Sequence, residues 1–132
     1  MLYPMGVPKK TYGVIEVRKF TSGWWEGVVN IDPLVEQVPE VTGILFDVDN
    51  TDGVRPIAAR REIPSDRSFM TEKLLDEFGI LHFNDSWITS AEIKQVFNVT
   101  KTMKGWATVF NLISDFAEQY GEDNVRLVVW FV

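Results

Sequence analysis

Between Tyr12 and Phe20 apolar residues (Tyr12, Val14, Ile15, Val17, Phe20) are interleaved with Glu16, Arg18 and Lys19. After Thr21-Ser22-Gly23 the same β-branched and aromatic character resumes as Trp24-Trp25-Glu26-Gly27-Val28-Val29. Two such runs joined by a short glycine-containing loop predict a β-hairpin. Pro33 and Pro39 mark a connection, and the run from Val41 to Val48 fits a strand or a short helix equally well. Gly53, Pro56 and Pro64 make 50–67 mostly loop. Helical spacing then takes over. A short helix is expected from Ser68 to Phe78, stopped by Gly79, and Thr89-Ser90-Ala91-Glu92 has the spacing of a capping box opening a second helix to about Phe97. Trp106, Val109, Phe110, Ile113, Phe116, Ala117 and Tyr120 share one face of a third helix, with Gly121 as its stop. The closing run, VRLVVWFV over 125–132, reads as a central, buried strand.

Strands at both ends with helices between them predict an α+β domain, a mainly antiparallel sheet with helices packed on one face. The 132 residues suit one domain, 1–132, with 1–10 as an irregular lead-in, and no internal repeat or linker divides it. The absence of cysteine removes disulfides and thiolate chemistry, and a single histidine, His82, removes a multi-histidine metal cluster. No apolar run approaches a membrane span and no signal-peptide core is evident, so a cytoplasmic location is expected. A net charge of −6 argues against an extended nucleic-acid partner.

One motif carries catalytic chemistry. Ile44-Leu45-Phe46-Asp47-Val48-Asp49-Asn50-Thr51 matches the first motif of haloacid-dehalogenase-like phosphatases. That resemblance implies Asp47 as a phosphoryl-accepting nucleophile and Asp49 as a general acid/base, with magnesium between them. The remaining machinery has no good candidates. Thr89 and Lys94 fit the middle roles only loosely, and no acidic pair follows the strand at 125–132. A calcium loop counted from Asp47 also fails, because Asp52 and Ala58 fall where a glycine and a glutamate are needed. Asp47, Asp49 and Asp52 are therefore expected to cap turn amides, and the protein is expected not to be an enzyme and to need no cofactor or metal.

Arg55, Arg60, Arg61 and Arg67 lie on one proline-bounded loop with only Glu62 and Asp66 against them. Guanidinium groups are suited to phosphate and carboxylate because their planar fork donates two parallel hydrogen bonds. Asn84-Asp85-Ser86-Trp87 reads as a loop just before a helix start, where Ser86 and Trp87 could add a hydroxyl and a stacking face. Trp24, Trp25, Trp106 and Trp130 are assigned to the core or to an interface. The aromatic content exceeds what so small a core hides, which predicts a homo-oligomer.

Across most of its length the chain also resembles a family of small tailed-bacteriophage and bacterial proteins. The matching steps are Glu16-Val17-Arg18, Trp25-Glu26, the apolar segment Ile44 to Asn50, Pro56-Ile57, Arg61, Ile63-Pro64 with Asp66, Ser86-Trp87-Ile88-Thr89, Val125-Arg126 and Trp130-Phe131. Glu62 stands where the family has a glycine, Asn84 and Asp85 replace loop histidines, and Val132 replaces an aspartate. The resemblance supplies a phage setting and no activity. Together with the arginine loop it leads to one expectation: a non-enzymatic sponge that sequesters a host immune signal. The ligand would be a cyclic nucleotide or ADP-ribose-like molecule held by Arg55, Arg60, Arg61, Arg67, Ser86 and Trp87. The rival expectation is a module that binds a protein partner through the aromatic hairpin.

Overall fold

The expected hairpin forms as β1 (Thr11–Val17) and β2 (Glu26–Asn30), paired antiparallel. The computed structural model describes residues 10–21, 23–36, 39–50, 53–78, 82–95 and 105–132. Most of the lead-in, Ser22, Thr51, Asp52, Gly79 and the expected helix end at Phe97 lie outside these residues. The closing run forms β4 (Val125–Phe131), buried at all seven positions. It lies between β1 and a further strand, β3 (Phe83–Thr89), giving the antiparallel order β2-β1-β4-β3.

β3 corrects the sequence reading, which placed 84–87 in a loop. Its Asn-Asp-Ser residues favour turns, and Asn84 does adopt a left-handed φ of 53° where the register with β4 shifts. The strand exists because β4 supplies a partner distant in sequence, from Ser86 opposite Val129 to Thr89 opposite Arg126. Local propensity carries no trace of that pairing.

The ambiguous segment resolves as helix α1 (Pro39–Phe46). Val41 and Leu45, one turn apart, and Phe46 are buried, and the Phe46 ring meets Phe131 at 5.9 Å. Ile57 and Ala58 donate their amides to the carbonyls of Ile44 and Leu45, so the following loop completes the end of the helix. The capping box is present as read. Thr89 accepts from the Glu92 amide and Glu92 accepts from Thr89, opening the one-turn helix α3 (Ser90–Ile93). Helix α4 (Trp106–Tyr120) buries Trp106, Val109, Phe110 and Ile113, the face its spacing predicts, and packs Phe116, Ala117 and Tyr120 against the same core. Gly105 before it has φ 73°, and a Cβ there would strike the Leu34 carbonyl. A 3₁₀ turn (Glu122–Asn124) leads into β4.

The α+β architecture with an antiparallel sheet is therefore as expected. α1, α3 and α4 cover the sheet face carrying Ile15, Val17, Leu127 and Val129. Helix α2 (Phe69–Phe78) departs from the one-sided stack and lies over the other face. There a Cβ on Gly27 would sit 2.6 Å from the Met70 Cβ, so the missing side chain is what lets α2 approach β2. A buried cross-strand ion pair holds the start of α2. Glu16, fully buried, accepts from Arg126 Nε at 2.7 Å on one oxygen and from the Ser68 amide (2.8 Å) and the Thr71 hydroxyl (2.6 Å) on the other. Arg126 continues to Asp66 at 3.1 Å and lies over the Trp25 ring at 4.0 Å. A carboxylate taken fully out of water is tolerated only with this many charge-assisted partners.

Candidate functional site

The loop at 57–62 bridges the end of α1 and the outer edge of β3. The Glu62 amide donates to the Asp85 carbonyl, and the Arg61 amide donates to Ser86 Oγ at 3.1 Å. The buried Ser86 hydroxyl in turn donates to the Ala58 carbonyl. Arg60 and Glu62 both take left-handed backbone, with φ 51° and 72°.

Arg61, Ser86 and Trp87 are brought together as the sequence suggested, and they are spent on one another. The Arg61 guanidinium forms a fork onto Glu92 at 2.8 and 2.6 Å and also donates to the carbonyls of Trp87 (3.3 Å) and Ile57 (3.0 Å). It lies over the Trp87 ring at 4.8 Å. Arg61, first, and then the Thr89 amide hold the Glu92 carboxyl down at a pKa of about 2, and Glu92 raises that of Arg61. The other three arginines go elsewhere. Arg60 pairs with Asp47 at 3.1 Å, and Arg67 pairs with Glu72 at 2.5 Å and donates to the Pro64 carbonyl. Arg55 is exposed and has no partner among the described residues.

The aspartate motif sits at the end of helix α1, and among the described residues no parallel strand precedes it. Asp47 accepts from the Asn50 amide at 2.9 Å and from Arg60, in that order of influence, and both hold its carboxyl below the ordinary range. The amide that stabilises the turn belongs to Asn50, which accepts from the Val54 backbone at 3.0 Å. Among the described residues no group of three histidine, aspartate or glutamate side chains could hold a metal ion.

Between the arginine loop, α2 and β3 lies an open cleft of about 420 Å³, bordered by Glu62, Arg67, Glu72, Asp76, His82 and Asp85. His82 bonds Asp85 at 2.7 Å, and Arg67 bonds Glu72. Glu62 and Asp76 keep their charges unpaired among the described residues, so the wall facing any entering phosphate is acidic.

A different surface is formed at the hairpin tip. The two adjacent tryptophans that lead into β2 face opposite ways. Trp25 turns inward, buried between Arg126 and Arg18, whose guanidinium lies 4.4 Å from its ring. Trp24 turns outward and is 87% exposed, and Phe20 beside it is 71% exposed. The Gly23 amide closes the turn onto the Phe20 carbonyl at 2.7 Å. A cleft of about 370 Å³ results, lined by Lys19, Phe20, Gly23, Trp24 and Glu26. Lys19 and Glu26 are exposed and have no ion-pair partner among the described residues. The sequence reading assigned Trp24 to the core or an interface without choosing. The Trp-Trp step, in which only one ring can face the sheet, was the available signal.

Comparison with family models, curated proteins and solved structures finds no match to this chain.

Proposed function

We propose that this protein is a non-catalytic docking module that engages a protein partner through the tip of its β1–β2 hairpin. The observation that carries this reading is the exposure of Trp24 and Phe20 around one cleft, while Trp25, Trp106 and Trp130 are all buried. Aromatics of this size bury roughly 150–250 Å² each when covered, so leaving two side by side in water forgoes several kcal/mol of stabilisation. Exposed tryptophan and phenylalanine side chains are enriched at interfaces, where such rings act as anchors with polar groups around their rim. The sheet's free edges fit the task less well. β2 carries an unpaired extra residue, Val28, at a register shift, and the outer edge of β3 is covered by the 57–62 loop.

The rival reading, sequestration of a phosphorylated nucleotide-like signal, has less support from the same geometry. Three of its four arginines are engaged by Asp47, Glu92 and Glu72, and both Ser86 and Trp87 are occupied by the Arg61 corner. The test is photocross-linking in the producing cell, with a photoreactive phenylalanine analogue in place of Trp24. A discrete adduct that disappears when Phe20→Ser is added supports docking. Absence of any adduct, together with a melting temperature raised by a cyclic nucleotide, would reverse the choice.

A further inference from the structure

We infer that the partner of the hairpin tip is a second copy of this chain, bound face to face about a two-fold axis; this deepens the docking reading and rests on it. A surface that pairs with itself must carry both halves of every contact, since residue i meets residue j and j meets i. The tip meets that condition. It offers a projecting ring, Trp24, and a cleft beside Phe20 that a ring can enter, and the same cleft is bordered by one cation, Lys19, and one anion, Glu26. Neither charge is satisfied within its own described chain, so across a two-fold each Lys19 can answer the other copy's Glu26.

Electrostatics of the whole chain favour the same face. Two copies of net charge −6 repel over most of their surfaces. In the turn joining β1 to β2, Arg18 and Lys19 outnumber Glu26, whereas Lys10, at the far end of β1, is paired with Asp32 at 2.9 Å, so the tip does not share the net acidity of the chain. Covering two aromatics per copy buries on the order of 600–1,000 Å² in total, short of the roughly 1,200 Å² of a stable interface. The association is accordingly weak, reversible and concentration-dependent.

The experiment is sedimentation equilibrium over a concentration series, with tip variants whose circular dichroism and melting match wild type. The mass of wild type should rise from 15.1 kDa towards twice that value. Trp24→Ser should weaken association at least tenfold. Lys19→Glu alone sets two acids against each other, and Glu26→Lys alone sets two lysines against each other, so each should stay monomeric. Mixed in equal amounts, these two single variants should associate again, because every contact in the mixed pair is Lys against Glu. A mixture that associates no better than either variant alone overturns the inference, as does a dimer indifferent to Trp24→Ser. A wild type that stays at 15.1 kDa while the Trp24 cross-link still captures another protein overturns the second-copy assignment and leaves the docking reading standing. Loss of both signals removes both.

Discussion

Arg61 is the residue at which a binding role and a structural role make opposite predictions. Its guanidinium joins three segments, the 57–62 loop, β3 and α3, through five donated contacts counting its backbone amide. Glu92 is at once its ion-pair partner and the reciprocal member of the Thr89 capping box. The lowering of Glu92 from 4.5 to about 2 corresponds to about 3 kcal/mol of coupling between charge and fold. Both side chains are a quarter exposed, and water reduces this to about 2 kcal/mol. Arg61→Ala also strands two carbonyl acceptors, so the expected loss in urea denaturation at pH 7 is about 2–3 kcal/mol. The pH dependence has a fixed sign. Glu92 has its folded pKa depressed, so its stabilisation is present above about 4.5 and fades as pH falls towards 2. The difference between wild type and Glu92→Gln should therefore be largest near neutrality and shrink across that window. If Arg61→Ala unfolds within about 0.5 kcal/mol of wild type at pH 7, the range of an ordinary surface substitution, then the Arg61 corner is not structural and the arginine is free to bind a ligand.

Glu16→Ala should cost about 3–5 kcal/mol, because it leaves the Ser68 amide and the buried Arg126 without their acceptor; a midpoint in denaturant equal to wild type would contradict the tether described for α2. Incubation with magnesium and phosphate monoesters should release no phosphate above background, since Asp47 is held at a helix end by Asn50 and Arg60, and turnover abolished by Asp47→Asn would overturn that. A panel of cyclic di- and trinucleotides and cyclic ADP-ribose isomers should leave the melting temperature unchanged. A rise that depends on Arg55 or Arg60 would restore the sequestration reading.

What could be read from sequence follows from which forces are local. The α4 face, the Thr89 capping box, the hairpin and the buried β4 run depend on periodicity or short-range spacing, and all four stand as expected. β3 depends on pairing with β4 some forty residues away and was hidden by its own turn-forming residues. The fate of the arginines was hidden for the same reason. Four cations in one loop look like an anion site until the fold delivers Glu92 to Arg61 across thirty-one positions and Asp47 to Arg60 across thirteen. The pairing of Glu16 with Arg126, 110 positions apart, left only a polar residue within each of two apolar strands as its sign. At the tip the signal was present in the adjacent tryptophans, but which of the two turns inward is decided by Arg18 and Arg126, which the fold brings to the Trp25 ring.

The claim that the hairpin tip is the docking surface is tested most directly by comparing two equally exposed aromatics. Trp24 is 87% exposed on the hairpin and Phe69 is 80% exposed at the start of α2. The same photoreactive residue placed at position 24 or at position 69 differs in location and hardly in accessibility. Docking through the tip predicts a discrete, Phe20-dependent adduct from position 24 and only background from position 69. Equal adducts from both positions, or an adduct from position 69 alone, would contradict it.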